Sequence, residues 1–301
     1  MTTDSRCIGV DWGSSNRRAC LLASDGRELG RREDAEGVLS VAPSDYFASL
    51  MNLVGDWWRE SRGTIWLSGM VGSRNGWQEV PYLPAPVALD DIARQAVALR
   101  EAQEPRILIL PGVSQQLPGE PPDVMRGEET QLLGAWDLGA RDGWHVLPGT
   151  HSKWVRIEQG RIVRFHTFMT GELFARLREK GALASVASGE ADDEAGFIDG
   201  LQLAQTAPLA AALFGIRAGV LLDTYPQAQA ASRLSGILIG AEWKAAEQLG
   251  GFSEGRVTLI GADGLTHWYA LAAAQHGIGT QTLSAETCHS RATLRCLRGA
   301  Q

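Results

Sequence analysis

The sequence predicts an α/β protein whose sheets are covered on both faces and whose two halves share one layout. Strands alternate with helices through the first half, and the runs 64–69 and 106–112 are apolar without alternation. Continuous apolarity is typical of strands that are buried on both faces of a sheet. A strand–turn–strand–turn–strand pattern at 7–33 recurs at 144–168, which indicates a weak internal duplication.

Hydrophobic spacing and capping signals predict the remaining elements in order. Apolar residues at helical spacing predict a helix from 46 to 60, and acidic residues open further helices at 90–99 and 128–138. A loop rich in Gly and Pro is expected at 70–86, and the stretch 171–249, rich in Ala and Leu, is expected to be helical. The elements predicted to close the chain are a strand at 257–261, a helix at 266–275, a strand at 280–283 and a last helix from 284.

The composition excludes several classes of function. The 301 residues are 44% hydrophobic and 21% charged, which is enough for one or two domains with a large core. The net charge is −7 and no cluster of Lys and Arg stands out, so neither nucleic acid nor a membrane is an expected partner. No apolar run has transmembrane or signal-peptide character, and the four cysteines form no C-x-x-C pair. We therefore expect a cytoplasmic protein with free thiols.

The first strand ends in a tight turn that combines a carboxylate, a glycine and two hydroxyl groups. Asp11 lies near the end of the strand, and Gly13, Ser14, Ser15 and Asn16 follow before a second apolar strand begins. Such a turn can present backbone N–H groups and hydroxyl groups to a phosphate, and its acid to a hydrated metal ion. The turn therefore indicates nucleotide chemistry.

A second turn of similar composition lies in the second half of the chain. Gly149, Thr150, His151 and Ser152 connect two strands, and Lys153 follows at once. Each turn alone fits an ordinary hairpin, but two of them, one per half, are what a triphosphate held between two domains requires. Lys153 is a candidate for a phosphate or a substrate carboxylate, and His151 for a ligand hydrogen bond. An exposed strand lysine and a surface histidine are the alternatives.

Paired acids at the start of a predicted helix are the candidate catalytic groups. Glu128 and Glu129 directly follow Gly127. Acidic side chains stabilise a helix N-terminus, so capping is one explanation of the pair. The other explanation is that one carboxylate accepts the proton of a substrate hydroxyl while that hydroxyl attacks the γ-phosphate of a nucleotide.

The loop after the strand at 64–69 is a candidate substrate site because it mixes glycines with Arg74, Trp77 and Tyr82. Ligands of open α/β sheets bind beyond the carboxyl ends of strands. Arg74 could hold a carboxylate through two hydrogen bonds, and the two aromatic rings could pack on a carbohydrate-like skeleton. A surface loop anchored by buried aromatic residues is the alternative.

Three glycines of the second half are candidates for a nucleotide-binding surface. Gly236 and Gly240 lie on a predicted helix whose small residues allow close approach of a backbone, although tight packing of two helices would also explain them. Gly261 ends a strand before a glycine-rich turn and a helix. That geometry admits an adenine, but it is common in α/β folds.

Together these motifs resemble the actin-like ATPase superfamily, which includes sugar kinases and exopolyphosphatases. The run 11–16 is similar to its first phosphate motif, 148–153 to its second, and 259–264 to its adenosine motif. A closer resemblance is to the 2-dehydro-3-deoxygalactonokinase family. The runs that carry this resemblance follow in order along nearly the whole chain, at 11–18, 68–73, 125–131, 147–154, 168–174 and 232–236.

The resemblance implies two ribonuclease-H-like α/β domains flanking an interdomain cleft, and a kinase that uses ATP and Mg²⁺. The implied substrate is 2-dehydro-3-deoxy-D-galactonate, phosphorylated on its 6-hydroxyl in galactonate breakdown. Similarity to exopolyphosphatases makes Glu129 the first candidate for the base and Glu128 the second. Asp11 would bind the metal. Many superfamily members carry a further Asp where this chain has Leu147, so a second protein ligand for the metal is left open.

We expect a first domain at 1–133, with the sugar-acid site, and a second at 134–301, with the adenosine motif. The last helix, 285–299, is an option for packing back on the first domain, and a homodimer is an open option. A kinase for another sugar or sugar acid, an exopolyphosphatase-like phosphohydrolase and a nucleotide-dependent interaction protein of the actin class remain as alternatives. Polyphosphate would call for a channel lined by Lys and Arg, and a chaperone would need a peptide-binding domain for which 301 residues leave no room.

Overall fold

The computed structural model describes residues 6–100, 104–250 and 255–299, which form a mixed α/β structure in two compact units. Unit 1 comprises 1–142, 155–165 and 283–301, and unit 2 comprises 143–154 and 166–282. The sequence analysis placed a boundary after residue 133, whereas the first stretch of unit 1 runs to residue 142. Most of the segment before the first strand, where no signal peptide was expected, lies outside the described residues.

The secondary structure follows the alternation that the sequence predicts. The strands are β1 (Cys7–Trp12), β2 (Arg17–Leu22), β3 (Glu28–Asp34), β4 (Ile65–Gly69), β5 (Leu83–Pro84), β6 (Val87–Ala88), β7 (Val97–Ala98), β8 (Ile107–Ile109), β9 (Val113–Gln115), β10 (Asp123–Met125), β11 (Gly143–Leu147), β12 (Ser152–Glu158), β13 (Arg161–Phe168), β14 (Arg256–Gly261) and β15 (Gly279–Ser284). The α-helices are α1 (Tyr46–Ser61), α2 (Leu89–Arg94), α3 (Glu128–Asp137), α4 (Thr170–Glu179), α5 (Glu194–Thr206), α6 (Leu209–Leu221), α7 (Ala230–Gly250), α8 (Asp263–Gln275) and α9 (Ala285–Gly299).

The main sheet of unit 1 has the strand order β3-β2-β1-β4-β8-β7. β1, β2 and β3 form an antiparallel meander, and β4 and β8 continue the sheet parallel to β1. Helices contact β1 from two sides. Val10 is buried in the core that includes Leu50 of α1, whereas a Cβ on Gly9 would lie 2.2 Å from the Oγ1 atom of Thr293 in α9. Coverage on both sides explains why the first four residues of β1, Cys7 to Val10, are apolar and buried.

A second sheet repeats this strand order. It contains β15-β14-β11-β12-β13 in that order, and β11 and β14 are parallel. In both sheets a parallel strand (β4 or β14) lies beside the first strand of the three-strand repeat (β1 or β11). The core of this sheet includes Val146, Trp154, Trp243 and Leu259. The internal duplication predicted from the sequence is therefore visible as a repeated strand order.

Two segments of unit 1 differ from the sequence prediction. α2 ends at Arg94, not at residue 99, and β7 follows it antiparallel to β8. The segment expected to be a loop at 70–86 contains β5, which joins β9 and β10 in a separate three-stranded sheet. These strands have two or three residues each, too few to show the period of a strand in the sequence. Among the described helices, none has the length and hydropathy needed to cross a bilayer.

Candidate active site

The carboxylate of Asp11 lies beside two glycines that have the left-handed backbone conformation. Gly69 ends β4 with a φ of 86°, and Gly127 precedes α3 with a φ of 111°. A Cβ on Gly69 would lie 3.1 Å from Asp11 Oδ1, and a Cβ on Gly127 would lie 3.9 Å from the same atom. Both positions favour glycine through their conformation. Glycine at both positions lets the backbone approach the Asp11 carboxylate closely, at the carboxyl ends of parallel strands where α/β sheets bind ligands.

Glu129 has its carboxyl group folded back on the amide of Gly127. The backbone N–H of Gly127 donates to both oxygens of Glu129, at 2.8 and 2.9 Å, and the Thr130 hydroxyl donates to Oε1 at 3.1 Å. Glu129 is fully buried. Burial, and secondly the negative charge of Glu128, raise the pKa of Glu129 to about 8. A carboxyl group that exchanges its proton near neutral pH is suited to acid–base catalysis.

Glu128 has a different environment from its neighbour. Its side chain is partly exposed, and its Oε2 atom accepts a hydrogen bond of 3.1 Å from the backbone N–H of Arg126. That contact is of the kind by which an acidic residue in the first turn stabilises a helix N-terminus. The structure thus distinguishes the two acids, and we retain Glu129 as the first candidate for the base.

The turn Gly13–Asn16 is held from one side by a neighbouring segment. The backbone N–H groups of Val38, Leu39 and Gly37 donate to the carbonyl oxygens of Gly13, Ser14 and Ser15 at 2.9, 3.1 and 3.2 Å. A trans peptide directs the next N–H group opposite to its carbonyl. The amides that follow these carbonyls therefore point away from the 37–39 segment, in the direction in which a phosphate would be bound.

Arg17 anchors the same turn, a role that the sequence analysis did not predict. Its side chain is buried, with Nε donating to Asp34 at 2.8 Å and Nη2 donating to Glu36 at 2.7 Å. Nη1 donates to the hydroxyl of Ser49 at 2.7 Å, and the guanidinium lies over the ring of Trp12. Two carboxylates and a hydroxyl group thus compensate a buried charge, as stable burial of a cation requires.

The three predicted residues of the loop after β4 have different environments. Arg74 is exposed and lies 3.6 Å from a carboxylate oxygen of Glu79. The Trp77 ring stacks on Tyr46 with centroids 5.8 Å apart and contacts Trp12 edge to face, which matches the alternative of a loop anchored by aromatic packing. Tyr82 is partly exposed, and the guanidinium of Arg126 lies 4.2 Å from its ring centroid.

The second turn packs against the start of α4 within unit 2. The backbone N–H of Glu172 donates to the carbonyl of Thr150 at 2.9 Å, and a Cβ on Gly171 would lie 2.4 Å from the carbonyl oxygen of Gly149. His151 Nε2 is 2.7 Å from Glu172 Oε2. The carbonyls of this turn therefore face a bracing segment, as they do in the first turn, and the amides that follow them point the other way.

Lys153 and Ser152 are directed into the protein, not toward open solvent. Lys153 is buried, and its Nζ atom donates to the carbonyl of His151 at 3.2 Å. Ser152 is fully buried, and its hydroxyl is 2.7 Å from the Tyr269 hydroxyl. These contacts lie within the protein and not on a ligand-binding surface. Both side chains therefore stabilise the turn. The prediction that they bind ligand is therefore left without support from their geometry.

A cavity of about 470 Å³ opens next to the second turn. All of its lining residues belong to unit 2. They come from the turn, α4, the segment before α5, α7 and α8: Gly149, Thr150, Thr170, Gly171, Phe174, Ala191, Ser235, Ile239, Gly264, Leu265, Trp268 and Tyr269. Its volume is in the range typical of sites for small molecules and cofactors, and its walls combine apolar side chains with the turn at Gly149 and Thr150.

The glycines Gly236 and Gly240 face α5 and not this cavity. A Cβ on Gly236 would lie 2.1 Å from the carbonyl oxygen of Phe197, and a Cβ on Gly240 would lie 2.8 Å from the Cβ of Ala204. The alternative of tight helix packing therefore explains both glycines, and we correct the expectation that they bind nucleotide. Their neighbours on α7, Ser235 and Ile239, line the cavity. Gly261 packs against Thr266 and Pro148, so it sets the start of α8 relative to the turn.

A buried carboxylate connects the elements that surround the cavity. Glu242 of α7 accepts hydrogen bonds from Trp154 Nε1 at 2.7 Å, from the Tyr269 hydroxyl at 2.8 Å and from the Thr170 hydroxyl. Burial raises the pKa of Glu242, and the hydrogen bonds from Thr170 and Trp154 oppose that effect. The hydrogen bonds tie α7 to β12, α4 and α8. Glu242 could not be predicted as part of this site, because its position in a long apolar helix does not indicate which hydrogen-bond donors it contacts.

Asp11 is the candidate protein ligand for a divalent cation in unit 1. A Cβ atom on Gly69 or on Gly127 would lie next to Asp11 Oδ1. In the described part of the chain, no group of three or more His, Cys, Asp and Glu side chains could hold a metal ion. The carboxylate of Asp11 fits Mg²⁺, which keeps several waters and binds through one or two carboxylates together with phosphate oxygens of a substrate.

Comparison with known proteins gives concordant results. The family model described as 2-keto-3-deoxy-galactonokinase matches residues 11–296. Two similar curated proteins are the "Probable 2-dehydro-3-deoxygalactonokinase DgoK1" of Rhizobium meliloti, 39% identical over 95% of this chain and 94% of that protein, and the 2-dehydro-3-deoxygalactonokinase of Escherichia coli, 34% identical over 94% of each. A crystal structure from Sinorhizobium meliloti, of a protein given the same kinase name, superposes with a TM-score of 0.90 at 35% identity, covering 97% of this chain and 98% of that one.

Proposed function

The chain belongs to the 2-keto-3-deoxy-galactonokinase family, and from this premise we propose that it transfers the γ-phosphoryl group of ATP to the 6-hydroxyl of 2-dehydro-3-deoxy-D-galactonate. The proposal includes a place in galactonate breakdown and a cytoplasmic location. It also includes two ribonuclease-H-like domains flanking a cleft, which the repeated strand order of the two sheets supports. The relatives that carry the kinase name match this chain over almost its entire length.

The observation that carries the proposal is the arrangement of two carboxyl groups around one glycine. Asp11 lies near Gly127, and Glu129 accepts hydrogen bonds from the Gly127 amide. Phosphoryl transfer to an alcohol needs a site for the metal that bridges the phosphates and a group that receives the alcohol proton. Asp11 and Glu129 meet these two needs, and they differ in burial as the two roles require.

In the proposed mechanism, Glu129 accepts the proton of the 6-hydroxyl as that oxygen attacks the γ-phosphorus. The carboxyl group must be ionised to do so, and its raised pKa means that the active fraction grows as the pH approaches 8. Asp11 would hold Mg²⁺ through water, and Mg²⁺ when bound neutralises the charge on the phosphate oxygens. Ser14, Ser15 and Asn16 would donate backbone N–H groups to phosphate oxygens, since the carbonyls of that turn are already held from the other side.

Unit 2 would bind the rest of the nucleotide. Gly149 and Thr150 belong both to the second turn and to the wall of the 470 Å³ cavity, so they would contact phosphate oxygens at its mouth. The aromatic and aliphatic side chains of Trp268, Leu265 and Ile239 line the same cavity and provide an apolar surface for an adenine ring.

The test is an ATP-coupled assay over a panel of 2-keto-3-deoxy sugar acids and plain hexoses, with wild type, Glu129→Gln and Glu128→Gln. We expect phosphorylation of 2-dehydro-3-deoxygalactonate, and a fall in kcat of about 10²–10⁴-fold for Glu129→Gln, because a general base contributes about this much. In the wild type, kcat/KM should rise with pH up to about 8 and then level off, and this rise should be absent from Glu129→Gln.

Glu128→Gln is the matched control, because it makes the same change one residue away on a partly exposed side chain. Near-normal turnover of Glu129→Gln would remove the base role from that residue. Activity on plain hexoses alone, or phosphate release from polyphosphate without a sugar acid, would contradict the assigned substrate. Filaments that form with ATP in the absence of sugar phosphorylation would favour an interaction protein of the actin class.

A further inference from the structure

Arg126 carries a buried guanidinium group that the protein itself leaves mostly unsatisfied. The residue is 8% exposed. Its Nη2 atom donates to the carbonyl of Val80 at 2.6 Å, and its plane lies over the ring of Tyr82. Within the described residues, neither Nε nor Nη1 has a hydrogen-bond partner. These two nitrogens carry three of the five N–H donors of the side chain.

A buried cation without a partner anion is costly for the fold. Arg17 of the same unit shows the usual solution, because two carboxylates and a hydroxyl group accept its hydrogen bonds. For Arg126 no carboxylate lies within ion-pair distance among the described residues. Its charge acts on the Glu129 carboxyl group, whose pKa it lowers against the effect of burial, and its one hydrogen bond goes to the neutral carbonyl of Val80. Unpaired buried charges are rare in folded proteins and concentrate at sites that bind a counter-ion.

A second unsatisfied donor lies in the loop that contacts this guanidinium. Ser73 is 8% exposed, and its buried hydroxyl also has no partner in the described part of the chain. Its neighbour Gly72 touches Arg126, because a Cβ on Gly72 would lie 2.9 Å from Arg126 Nη1. The missing side chain of Gly72 thus lets the guanidinium and Ile109 pack closely against this loop. A planar guanidinium and a hydroxyl group are donors suited to a carboxylate.

The loop 69–73 relates this donor set to the catalytic carboxyl groups. At one end of the loop, Gly69 contacts Gly127 and Asp11, and at the other end Gly72 contacts Arg126. Arg126 in turn directly precedes Gly127, whose amide binds Glu129. A six-carbon sugar acid has its carboxylate at one end and its terminal hydroxyl at the other. Both ends therefore find matching groups along one continuous stretch of unit 1.

We propose that Arg126, assisted by the Ser73 hydroxyl, binds the carboxylate of the sugar-acid substrate, with Tyr82 packing on the guanidinium. This inference rests on the proposed function for the identity of the substrate, and it replaces Arg74 in the role that the sequence suggested. Arg74 is exposed and lies near Glu79, whereas the Nε and Nη1 atoms of Arg126 have no hydrogen-bond acceptor among the described residues. Selection for an acid over a neutral sugar would then come from Arg126.

The experiment compares two substrates that differ only at the carboxylate. One is 2-dehydro-3-deoxygalactonate, and the other is the neutral 3-deoxyhexulose with CH₂OH in place of the carboxylate. The enzymes are wild type, Arg126→Gln, Arg126→Lys, Ser73→Ala and the control Arg74→Gln. We expect Arg126→Gln to lower kcat/KM for the acid by about 10²–10³-fold, mainly through KM, because a desolvated charge pair is lost. The loss for the neutral sugar should be at least about 10-fold smaller than the loss for the acid, and for the acid Arg126→Lys should fall between wild type and Arg126→Gln.

A purely structural role of Arg126 would lower kcat/KM for both substrates equally, and that result would overturn the inference. Loss of the preference for the acid in Arg74→Gln, with Arg126→Gln unaffected, would also overturn it. Thermal stabilisation by ATP, whose proposed cavity belongs to unit 2, shows whether each variant is folded.

Calorimetric binding of the sugar acid without ATP separates this inference from the proposed function. If the wild type binds the acid, Arg126→Gln does not, and no phosphoryl transfer occurs, the carboxylate site stands and the proposed kinase activity fails. If wild type and Arg126→Gln bind the acid equally, the site fails whatever the kinase activity. If the wild type binds no sugar acid, both proposals fail.

Discussion

The buried carboxyl group of Glu129 makes the stability of unit 1 depend on pH in a way that one substitution removes. In an unfolded chain a glutamate has a pKa near 4.5, whereas burial raises the pKa of Glu129 to about 8. The fold therefore favours the neutral form. The stability associated with that form is fully present below pH 4.5 and is lost as the pH rises through 8, where the fold must hold a buried anion. Glu129→Gln keeps the shape and cannot ionise.

The size of the effect follows from the two pKa values. The difference between 4.5 and about 8, at about 1.4 kcal/mol per pH unit, gives roughly 5 kcal/mol as an upper limit. One kcal/mol shifts the Tm of a unit of this size by roughly 2–4 °C. The Tm of the wild type should therefore fall by several degrees relative to Glu129→Gln between pH 5 and pH 8, and the difference should be constant above pH 9.

The measurement is thermal unfolding of both proteins in matched buffers from pH 5 to pH 9, without nucleotide. Other groups that titrate in this range are common to both proteins and cancel in the difference. Glu128→Gln, which changes a partly exposed neighbour, should show a much smaller dependence. A Tm difference between wild type and Glu129→Gln that stays flat across this pH range would refute the assignment of a buried, neutral carboxyl group.

Two further predictions concern unit 2. Gly236→Ala should destabilise the protein by roughly 1–3 kcal/mol in denaturant unfolding, because the new Cβ would lie 2.1 Å from the carbonyl oxygen of Phe197. Gly215→Ala, where nothing lies within 4 Å, should stabilise the helix by up to about 1 kcal/mol, and equal effects would contradict the packing role. Glu242→Gln should raise the KM for ATP and lower stability by roughly 1–3 kcal/mol, since one buried hydroxyl or indole donor loses its acceptor. The exposed Glu247→Gln on the same helix is its control, and unchanged kinetics in Glu242→Gln would argue against a link between this network and the cavity.

The sequence was informative where the signal is local. Asp11 and Gly13 follow an apolar strand directly, and a strand end with a glycine turn is a short-range pattern, so the first half of the candidate site could be predicted. The strand order of unit 2 could be anticipated for the same reason, because the hairpins at 144–168 repeat those at 7–33. Short-range sequence patterns thus indicated the mixed α/β fold class, the two turns and the paired acids.

Long-range contacts decided the residues that the sequence misjudged. Trp77 looked like a ligand platform, but it packs on Tyr46, a residue 31 positions earlier in the chain. Gly236 looked open to a nucleotide, but α5 covers it. Arg126 lies next to the paired acids in the sequence, but only tertiary burial shows that its Nε and Nη1 atoms have no acceptor among the described residues. Residue type and spacing do not show which side chains are buried or which residues they contact.

The bracing of the turn Gly13–Asn16 has a consequence for the entropy of phosphate binding. The carbonyls of Gly13, Ser14 and Ser15 are already fixed by the segment 37–39, so the torsion angles of the turn are settled when the chain folds. Ordering a flexible residue would oppose ligand binding by about 1–2 kcal/mol each time. Because this turn is already ordered, anion binding does not carry that entropic cost. The three N–H groups of the segment 37–39 therefore contribute to the affinity of the turn for an anion.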